Sequence, residues 1–597
     1  MKVKVSDFIA NRVAEAGIRH VFMITGGGAM HLNDSFGKHP QLHCIFNHHE
    51  QASAMAAESY ARLSGQMALV NVTTGPGGIN AMNGVFGAYT DSVPMLIISG
   101  QVRYDTTVRS SNLPLRQLGD QEYDIIKSVT PITKYAVMVT EPNEIAYHLD
   151  KAIFLAQHGR PGPTWLDIPM NVQGAYIQLE DLKTYEPSED ELNTLTGKEL
   201  ATACEQILTR LKQSKRPVIL AGTGVRTAQA VELLTRLIHY WQIPIATAWN
   251  AHDLITDDNP FYIGRPGTVG DRAGNFAVQN ADFLLILGCR LNIRQISYNW
   301  RSFAPHAYQI MVDIDDLELK KPTVKPDLPV HADVAAVVWE LLNLPYHGNH
   351  EEWLAWCKVR QQKYPVVLSE YWQKTQFNIN PYCFTEVLFE QLESNEVIVV
   401  ANGTASVVTF QAAYIKPLQR LYGNSGCASM GYDLPAAIGA AIARPNQRII
   451  CLAGDGSIQM NLQELQTIVN YSLPIKIFIL NNQGYHSIRQ TQQSYFAGRF
   501  IGCDSNSGVT FPNFAKLAYA YNIPYTCCHS HAALQDTIAQ VLQTAGAHIC
   551  EVILDITQPF APKLASKQLA DGTMVSPSLE DMYPFLSSQE IKENTIN

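Results

Sequence analysis

Residues 448–485, RIICLAGDGSIQMNLQELQTIVNYSLPIKIFILNNQGY, contain a pattern from which the architecture of the chain can be inferred. The apolar run Ile449–Ala453 has the length and composition of a buried parallel strand. After the turn GDGS, apolar residues at helical spacing predict a helix from about Ile458 to Val469, and Pro474–Leu480 predicts a second strand. The segment is therefore a βαβ unit. The polar turns that end its two strands lie at one edge of a parallel sheet, where open α/β sheets bind ligands.

Both polar turns supply oxygen atoms that suit magnesium. Asp455 offers a carboxylate, Asn482 an amide oxygen and the turn at Gly484 a backbone carbonyl, and Mg²⁺ prefers such ligands while keeping water or phosphate oxygens. The first turn would also approach a diphosphate closely through its glycines and the following helix start, Gly454, Gly456 and Ser457. A plain βαβ turn with a capping aspartate is the alternative. The Asn481–Asn482 pair at the end of the second strand favours the metal site.

GDGS followed at this distance by NN resembles the thiamine diphosphate (ThDP) motif. The resemblance implies a cofactor that needs one carboxylate beside its aminopyrimidine ring, so that the ring can deprotonate the thiazolium carbon. Glu50, in NHHEQ at the start of an alanine-rich helix, is the candidate, and we expect the alanines to bury it. Without a ThDP site, the same glutamate would only complement the helix dipole.

A wider resemblance covers residues 1 to about 560. The segments HHEQASAMAAESYAR and NVTTGPGGINAMNGVFGAYTDSVPMLIISGQ resemble the pyrimidine domain of acetolactate synthase (acetohydroxyacid synthase) and its relatives, and SMGYDLPAAIG before GDG is similar to that family as well. The resemblance implies three consecutive doubly wound α/β domains with parallel sheets: a ThDP-binding fold in the first and third, and a Rossmann-like central domain. We place them at residues 1–178 (pyrimidine-binding), 190–345 (central) and 365–557 (diphosphate- and Mg-binding), followed by a loop-rich tail or lid at 558–597.

The resemblance also implies roles for individual side chains. Met430 would wedge under the cofactor and hold it bent, and Gln121 would lie over the thiazolium ring; a core methionine and a solvated loop are the alternatives. Asp120, Lys134 and Thr491 would lie near the substrate or, for the lysine, near a flavin. Further cofactor contacts would come from residues in the turns of both ThDP domains, namely Gly27, Gly28, Gly75, Gly77, Asn80, Asn402, Gly403 and Ala428.

The central block carries AGTGVR after a predicted strand, with Gly222, Gly224 and Arg226, and a later strand is followed by Arg290. A glycine pair after a strand is weak evidence for nucleotide binding. In the synthase family the matching positions hold FAD, whereas several relatives hold ADP or nothing. This chain has RLNIR where the synthases have a more acidic RFDDR, so FAD is expected from the resemblance and not from these residues alone.

The implied reaction is ThDP- and Mg-dependent decarboxylation of pyruvate with transfer of the two-carbon unit to a carbonyl acceptor. The resemblance implies an active site shared between the first domain of one subunit and the third domain of another, in a homodimer or homotetramer. Thr491 stands where the synthases have a tryptophan, and Asp120 where they have a phenylalanine. Since polar sites select hydrogen-bonding substrates, the acceptor is either a second 2-oxoacid or a nucleotide-linked ketosugar. A simple decarboxylase, a pyruvate oxidase and a non-catalytic cofactor-binding regulator are further alternatives.

Composition argues against several other classes of function. The 597 residues carry a net charge of −10, which gives no basic footprint for nucleic acid. No run approaches the roughly 18 apolar residues of a membrane span, and the start, MKVKVSDFIANRV, lacks the apolar core of a signal peptide. Eleven cysteines without CxxC spacing favour reduced thiols and a cytoplasmic location over disulfides or a zinc site.

Overall fold

Three parallel sheets of six strands each form the framework of the protein, whose computed structural model describes residues 2–190, 192–373, 378–568 and 571–596. The first sheet has the order β3-β2-β4-β5-β7-β6, and β1 pairs antiparallel with β8 beside it. The strands of this domain are β1 Lys2–Lys4, β2 His20–Met23, β3 His43–Phe46, β4 Ala68–Val72, β5 Met95–Gln101, β6 Tyr135–Met138, β7 Pro163–Pro169 and β8 Tyr176–Gln178. Its helices are α1 Val5–Glu15, α2 Met30–Lys38, α3 Glu50–Ser64, α4 Pro76–Asp91, α5 Val108–Ser111, α6 Ile125–Val129, α7 Ile145–Gln157 and α8 Met170–Gln173.

The central sheet has the order β11-β10-β9-β12-β13-β14. Strands β10 and β11 are added on one side of β9, and after β11 the chain returns to the middle, where β12 pairs with β9 and the later strands are added on the other side. This is the strand order of dinucleotide-binding Rossmann domains, which bind ligands at that switch point. The strands are β9 Pro217–Ala221, β10 Ile245–Thr247, β11 Tyr262–Gly264, β12 Phe283–Leu287, β13 Tyr308–Asp313 and β14 Leu328–His331. The helices are α9 Gly197–Gln213, α10 Gly224–Thr227, α11 Val231–Trp241, α12 Arg272–Asn280, α13 Ile293–Ile296, α14 Asp316–Lys320, α15 Val334–Asn343, α16 Glu351–Lys363 and α17 Ser369–Gln373.

The third sheet, β16-β15-β17-β18-β20-β19, repeats the connectivity of the first strand for strand. Its strands are β15 Val397–Val400, β16 Arg420–Tyr422, β17 Ile449–Gly454, β18 Ile475–Asn481, β19 Tyr525–Cys528 and β20 His548–Ile553. Its helices are α18 Pro381–Gln391, α19 Thr404–Ala412, α20 Asp433–Ala443, α21 Glu464–Asn470, α22 His486–Tyr495, α23 Phe514–Ala520 and α24 His531–Gln543. The predicted architecture of three α/β domains is thus confirmed.

The predicted βαβ unit is present with one change in its helix. Strands β17 and β18 are adjacent and parallel, and their apolar residues are buried. The segment between them is a 3₁₀ turn, Ile458–Asn461, followed by the shorter helix α21, because the side chain of Asn461 donates to the carbonyl of Gly431 and holds the first turn against a neighbouring loop.

The tail is more ordered than the predicted loop-rich flap. It contains β21 Lys563–Leu564, β22 Lys567–Gln568, β23 Met574–Val575, β24 Met582–Tyr583 and α25 Ser588–Glu593, with β21 paired to β24 and β22 to β23. The tail packs on helix α12 of the central domain, where Asn275 Nδ2 donates to the carbonyl of Leu579 at 2.9 Å and Asn280 Nδ2 to that of Asn594 at 2.9 Å. Among the described helices, none combines the length and apolar character needed to cross a membrane.

The first and third domains share a hydrophobic core. Helices α3 and α20 pack on each other, and one cluster of buried side chains includes Met55 and Ala57 from the first domain and Leu434 and Ile438 from the third. A buried polar network reinforces the contact, because Tyr432 Oη donates to a Glu58 carboxylate oxygen at 2.5 Å. The two candidate ThDP domains of one chain are therefore a single packed unit.

Candidate active site

The GDGS and NN turns meet at the carboxyl ends of β17 and β18. The Asp455 carboxylate joins them, since it accepts the backbone N–H of Gly456 at 2.9 Å through Oδ1 and that of Gly484 at 3.0 Å through Oδ2. Burial raises the pKa of Asp455 to about 7, and these backbone hydrogen bonds oppose the rise. A cation bound to this carboxylate would favour its ionised form.

The neighbouring asparagine completes a set of oxygen ligands. Asn482 is buried, and its side-chain nitrogen donates to Thr404 Oγ1 at 3.2 Å, an orientation that leaves the amide oxygen as the ligand. No group of three or more His, Cys, Asp or Glu residues suited to a metal occurs in the described part of the chain. The donors here are instead one carboxylate, one amide and one backbone carbonyl, which suits Mg²⁺ with remaining positions for phosphate and water.

Glycine is required at three positions of the predicted diphosphate site for different structural reasons. A Cβ on Gly456 would lie 2.2 Å from the Tyr485 ring, and one on Gly484, whose φ is +139°, would lie 2.0 Å from the carbonyl oxygen of Cys503. A Cβ on Gly403, by contrast, would have Ser487 Oγ at 3.6 Å as its neighbour. Gly456 and Gly484 are therefore required by packing, whereas Gly403, with φ +63°, is required by its backbone conformation.

Met430 lies on a loop that is anchored to both ThDP-like domains. On one side, Ser429 Oγ donates to Asn83 Oδ1 of α4 at 2.6 Å. On the other, the backbone N–H of Gly431 donates to Ser457 Oγ at 2.9 Å. The Met430 side chain is 38% exposed, which is unusual for a core methionine and suits an apolar support for a ligand. The same loop is tightened where Asn402 Nδ2 donates to the carbonyl of Ala428.

Glu50 is the first residue of α3 and is held by a neighbouring helix. Asn80 Nδ2 of α4 donates to Glu50 Oε2 at 3.0 Å, and a Cβ on Gly77 would lie 3.6 Å from Glu50 Oε1. The predicted burial of Glu50 among the alanines is only partial in the single chain, in which Glu50 is half-buried. The alanines that bury the helix follow it, and a residue in the first turn lies at the rim.

Gln121 lies directly over the N-terminus of α4. Gly75 and Gln121 both have a left-handed backbone, with φ values of +58° and +59°, and a Cβ on Gly75 would lie 2.1 Å from the carbonyl oxygen of Gln121. The side chains of Asp120 and Gln121 are exposed. The structure thus brings Glu50, Gly75, Gly77, Asn80 and Gln121 into one group, and the Asn83–Ser429 hydrogen bond connects that group to Met430 and the GDGS turn.

A buried carboxylate beneath this group was missed from the sequence. Asp167, at the end of β7, accepts hydrogen bonds from Ser99 Oγ at 2.6 Å and from Gln101 Nε2 at 3.1 Å. Gln101 Nε2 also donates to the carbonyl of Tyr123 at 2.8 Å, and Thr74 Oγ1 donates to Gln101 Oε1 at 2.5 Å. Burial raises the pKa of Asp167 to about 7. The sequence signal for this group was the presence of polar residues near the ends of two mainly apolar runs: Ser99 and Gln101 in MLIISGQ, and Asp167 in TWLDIP.

Two further predicted glycines lie at the same edge of the first sheet. The N–H of Gly28 donates to Thr73 Oγ1 at 3.1 Å, and a Cβ on Gly28 would lie 2.9 Å from the Thr74 methyl group. Gly27 has open space around its Cβ position. Gly28 therefore borders the turn that leads to α4, and Gly27 precedes it in the chain.

A cavity of about 890 Å³ lies at the switch point of the central sheet. Gly222, Gly224 and Arg290, three of the predicted nucleotide-site residues, line it. The fourth, Arg226, is directed to Asp253, with Nη2 3.1 Å from Oδ1. Gly222 and Gly224 bring two loops into contact, since a Cβ on either would lie within 2.7 Å of residue 288 or 289. The cavity has the size and position expected for a nucleotide.

The three residues predicted to lie near the substrate are not brought together. Asp120 is exposed next to Gln121, and Thr491 is exposed on α22, where its Oγ1 donates to the carbonyl of Ser487 at 3.0 Å. Lys134 Nζ donates to the carbonyl of His158 at 2.5 Å, and His158 lines the central cavity. Burial lowers the pKa of Lys134 to about 8. Lys134 therefore lies behind the wall of the nucleotide-sized cavity.

Comparison with known proteins gives a consistent result along the chain. Family models match the N-terminal TPP binding domain of thiamine pyrophosphate enzymes at residues 3–125, their central domain at residues 204–341 and their C-terminal TPP binding domain at residues 401–552. The chain is 30% identical over 550 residues to the acetolactate synthase large subunit of Pyropia yezoensis, with 90% of each chain covered. It is also 30% identical over 564 residues to the acetolactate synthase large subunit of Lactococcus lactis subsp. lactis, with 94% of each chain covered. A third relative, the probable acetolactate synthase large subunit of Methanocaldococcus jannaschii, is 30% identical over 581 residues, again with 94% of each chain covered.

Proposed function

Because this chain belongs to the thiamine pyrophosphate enzymes of the acetolactate synthase large-subunit family, we propose that it decarboxylates pyruvate and joins the two-carbon unit to a carbonyl acceptor. The observation that supports this most is the anchoring of the Met430 loop to Asn83 on one side and Ser457 on the other. The loop that carries Met430 is thereby held beside the GDGS turn, with the apolar side chain 38% exposed. A cofactor that is held at both ends needs such a support in the middle.

The diphosphate end of the cofactor would be held by the third domain. Asp455, Asn482 and the carbonyl of Gly484 would bind Mg²⁺, and the turn at Gly403 would leave room for phosphate oxygens. When bound, thiamine diphosphate supplies a nucleophilic carbon and an electron sink for decarboxylation. Because Asp455 is buried, the ion would be held away from bulk solvent, with phosphate oxygens and ordered water as its remaining ligands.

The pyrimidine end would be held by the first domain. Glu50 would bind the ring and exchange a proton with it, and Asn80 would keep the carboxylate in place. Gln121 would orient the reacting group, since its backbone is fixed against Gly75. Met430 would support the cofactor from below. Asn80, Gln121 and Met430 would act through position, because alignment of the reacting groups supplies much of the rate.

We further propose that the central cavity binds FAD. Its position at the switch point, the close loop contact at Gly222 and Gly224, and the cation of Arg290 in its lining support a dinucleotide. FAD would be structural in this scheme, and extraction of the purified protein with identification of the released nucleotide tests the assignment.

We propose an active site shared between subunits of a homodimer or homotetramer in the cytoplasm. Gln121 is exposed, Glu50 is half-buried and Met430 is 38% exposed in the single chain, whereas catalysis by ThDP needs a dry site. A partner subunit that covers these residues would provide it. The cysteines are unpaired in the structure, which supports a reducing compartment.

Two acceptors are compatible with this site. A second 2-oxoacid would make the protein an acetolactate-forming enzyme. A nucleotide-linked ketosugar is favoured by one observation: Asp120 and Thr491 offer an exposed carboxylate and hydroxyl where the synthases resembled by the sequence have aromatic side chains. A carboxylate and a hydroxyl at these two positions would favour a hydroxylated substrate.

The test is a product analysis with the ThDP- and Mg-loaded protein. We expect ¹³C-labelled pyruvate to release labelled CO₂ and the remaining two carbons to appear in a ligation product. Parallel reactions with and without a nucleotide-linked ketosugar distinguish the acceptors, since acetolactate as the sole product in both would eliminate the sugar. Absence of CO₂ release and of ThDP binding would refute the proposed function.

A further inference from the structure

The Met430 loop, residues 423–432 between β16 and α20, begins in the wall of the central cavity. Ser425 of the loop lines that cavity beside Trp249 and Asn250 of the central domain. Trp249 Nε1 donates to Ser425 Oγ at 2.9 Å. Asn250 is bound to the loop twice, since its Nδ2 donates to the carbonyl of Gly423 at 2.9 Å and its Oδ1 accepts the N–H of Gly423 at 3.1 Å. A nucleotide in the cavity would therefore border a segment of the third domain.

The first domain holds the same part of the loop. The N–H of Gly426 donates to Oδ1 of Asp91, the last residue of α4, at 2.8 Å, and both residues line the cavity. A Cβ on Gly426 would lie 2.5 Å from that oxygen, so the close approach depends on glycine. Helix α4 also holds Glu50 through Asn80 and the far end of the loop through Asn83. Parts of all three domains thus meet at one edge of the cavity.

The middle of the loop is attached to the candidate diphosphate turn. Ala428 has a φ of +58°, a left-handed conformation that costs free energy for a residue with a Cβ. Its carbonyl accepts a hydrogen bond from Asn402 Nδ2, next to Gly403, and its N–H donates to the carbonyl of Asn424 at 2.7 Å. A strained backbone conformation persists only where the surrounding structure holds it. The conformation of Ala428 therefore depends on the anchors of the loop.

This dependence extends to the cofactor support. Met430 follows Ala428 by two residues, and the next N–H, that of Gly431, donates to Ser457 Oγ at 2.9 Å. If Ala428 relaxed to a right-handed conformation, its carbonyl would rotate away from Asn402 and the chain would leave it in another direction. Met430 would then be displaced. The arrangement that suits a cofactor thus needs the contacts at the cavity as well as those at the GDGS turn.

We propose that the Met430 loop couples occupancy of the central cavity to the affinity for thiamine diphosphate. A nucleotide bound in the cavity packs against Trp249 and Ser425 and holds them together. Ala428 then stays left-handed, and Met430 stays in place. The inference rests on the proposed function, because it needs a nucleotide in the cavity and ThDP beside the loop. Trp249 and Asn250 are positioning residues in this scheme. Since coupling between two binding sites is reciprocal, ThDP should raise the affinity for the nucleotide by the same factor.

The experiment measures ThDP binding by titration calorimetry in the presence of Mg²⁺. The protein is used once freed of bound nucleotide and once saturated with FAD or with ADP. We expect at least one nucleotide to tighten ThDP binding by roughly 5- to 100-fold, and ThDP to tighten binding of that nucleotide equally. If the nucleotide-free protein unfolds, the rate of nucleotide release from the purified protein, with and without ThDP, measures the same coupling.

Three variants test the route. Trp249→Phe keeps a ring in the cavity wall but removes the donor, and Ser425→Ala removes the acceptor, so each should lower the coupling factor by about 3-fold or more. The double variant should lose no more than either single variant, because both remove one hydrogen bond. Trp339→Phe, a matched control on α15 where the side chain is 55% exposed, should keep the factor of the parent.

A second readout follows the loop itself and needs no turnover. Cys427 lies in the loop, where its Sγ is 3.0 Å from Ser429 Oγ, and its thiol is half-buried. In protein without ThDP, we expect the nucleotide to slow alkylation of Cys427 by iodoacetamide by about 3-fold or more, because the loop opens less often. Peptide mass spectrometry locates the modification. Cys527, also half-buried but on the edge strand β19, should react at an unchanged rate.

The outcomes separate the inference from the proposed function. A nucleotide that binds but leaves the ThDP affinity unchanged overturns the inference alone. So does a coupling factor that stays at the parent value when the Trp249–Ser425 hydrogen bond is removed. Absence of binding by both FAD and ADP refutes the proposed nucleotide site and the inference with it. Nucleotide-dependent ThDP binding without CO₂ release from pyruvate would refute the proposed reaction and leave the coupling standing.

Discussion

Asn80 Nδ2 of α4 donates a hydrogen bond of 3.0 Å to Glu50 Oε2 at the start of α3. The bond fixes a half-buried carboxylate at the rim of the first domain, where a proton-transferring group is proposed. We expect Glu50→Gln to keep the fold and ThDP binding but to lower CO₂ release from pyruvate by roughly 10²- to 10⁴-fold, because an amide cannot exchange the proton. CO₂ release and ThDP affinity are measured on the same preparation.

The control for this variant is Glu15→Gln, a substitution at an exposed position of α1 in the same domain. It should leave both quantities unchanged. An active Glu50→Gln enzyme would show that the proton is transferred elsewhere.

Gly456 and Gly454 provide a matched pair for the diphosphate turn. A Cβ on Gly456 would lie 2.2 Å from the Tyr485 ring, whereas one on Gly454 would have its first neighbour at 3.7 Å. We expect Gly456→Ala to lower the melting temperature of the cofactor-free protein and to weaken ThDP binding, since the ring and the NN turn must move. Gly454→Ala should melt within a few degrees of the parent protein, as expected for a difference of about 1 kcal/mol or less. Equal melting of the two variants would contradict the packing argument.

The sequence was sufficient for features that depend on local pattern. The apolar runs at Ile449–Ala453 and Pro474–Leu480 predicted β17 and β18, and the turns after them predicted that Asp455 and the NN pair lie at one edge of the sheet. The break in the helix after Ile458 was not predictable, because it depends on a hydrogen bond from Asn461 to a loop 30 residues earlier.

Contacts between distant segments account for what the sequence could not provide. The Asn83–Ser429 hydrogen bond spans 346 residues, and the contact between the tail and α12 joins Asn275 to Leu579. Asp167 looked like any polar residue in a strand, and its burial follows from the order of β5 and β7 in the sheet. The half-exposure of Glu50 reflects its position in the first helical turn, which an alanine-rich pattern does not reveal.

The buried Asp167 should make the stability of the protein depend on pH. Its pKa is raised to about 7 in the folded state, compared with about 3.9 in an unfolded chain. Between about pH 4 and pH 7 the folded protein therefore retains a proton that the unfolded chain has lost, so this group makes the free energy of unfolding fall as pH rises through that window. Asp167→Asn cannot ionise and should reduce the slope.

Melting temperatures of Asp167→Asn and of the exposed control Asp105→Asn, measured from pH 5 to pH 8, test this expectation. An unchanged slope in Asp167→Asn would mean that Asp167 is ionised in the folded protein throughout this range.

Arg62 neutralises buried carboxylates at the contact between the first and third domains. Its Nη2 lies 2.9 Å from Asp91 Oδ2, and its Nε donates to Glu58 Oε1 at 2.9 Å. Removing the cation in Arg62→Met leaves Glu58, which is 1% exposed, without compensation, and such a loss costs about 3–5 kcal/mol. The double variant Glu58→Gln/Arg62→Met should recover part of the stability. If the double variant is less stable than Arg62→Met, the cost has another origin. Thermal melting of the three proteins provides the comparison.

Removal of the divalent cation should weaken binding of the diphosphate end of the cofactor. Asp455 is buried, with its carboxylate held by the N–H groups of Gly456 and Gly484, so its oxygens are positioned for a metal before the metal arrives. We expect EDTA to abolish CO₂ release and to weaken ThDP binding, and Mg²⁺ to restore both. Asp455→Asn should bind ThDP weakly at any Mg²⁺ concentration, because an amide lacks the charge that holds the cation.

Asp433→Asn is a demanding control, since Asp433 is also buried and accepts from Ser457 Oγ at 2.5 Å, but it lies on α20 rather than in the turn. Its apparent affinity for Mg²⁺, measured through restored ThDP binding, should stay closer to that of the parent. Full ThDP binding by Asp455→Asn in EDTA would show that the diphosphate is held without a metal.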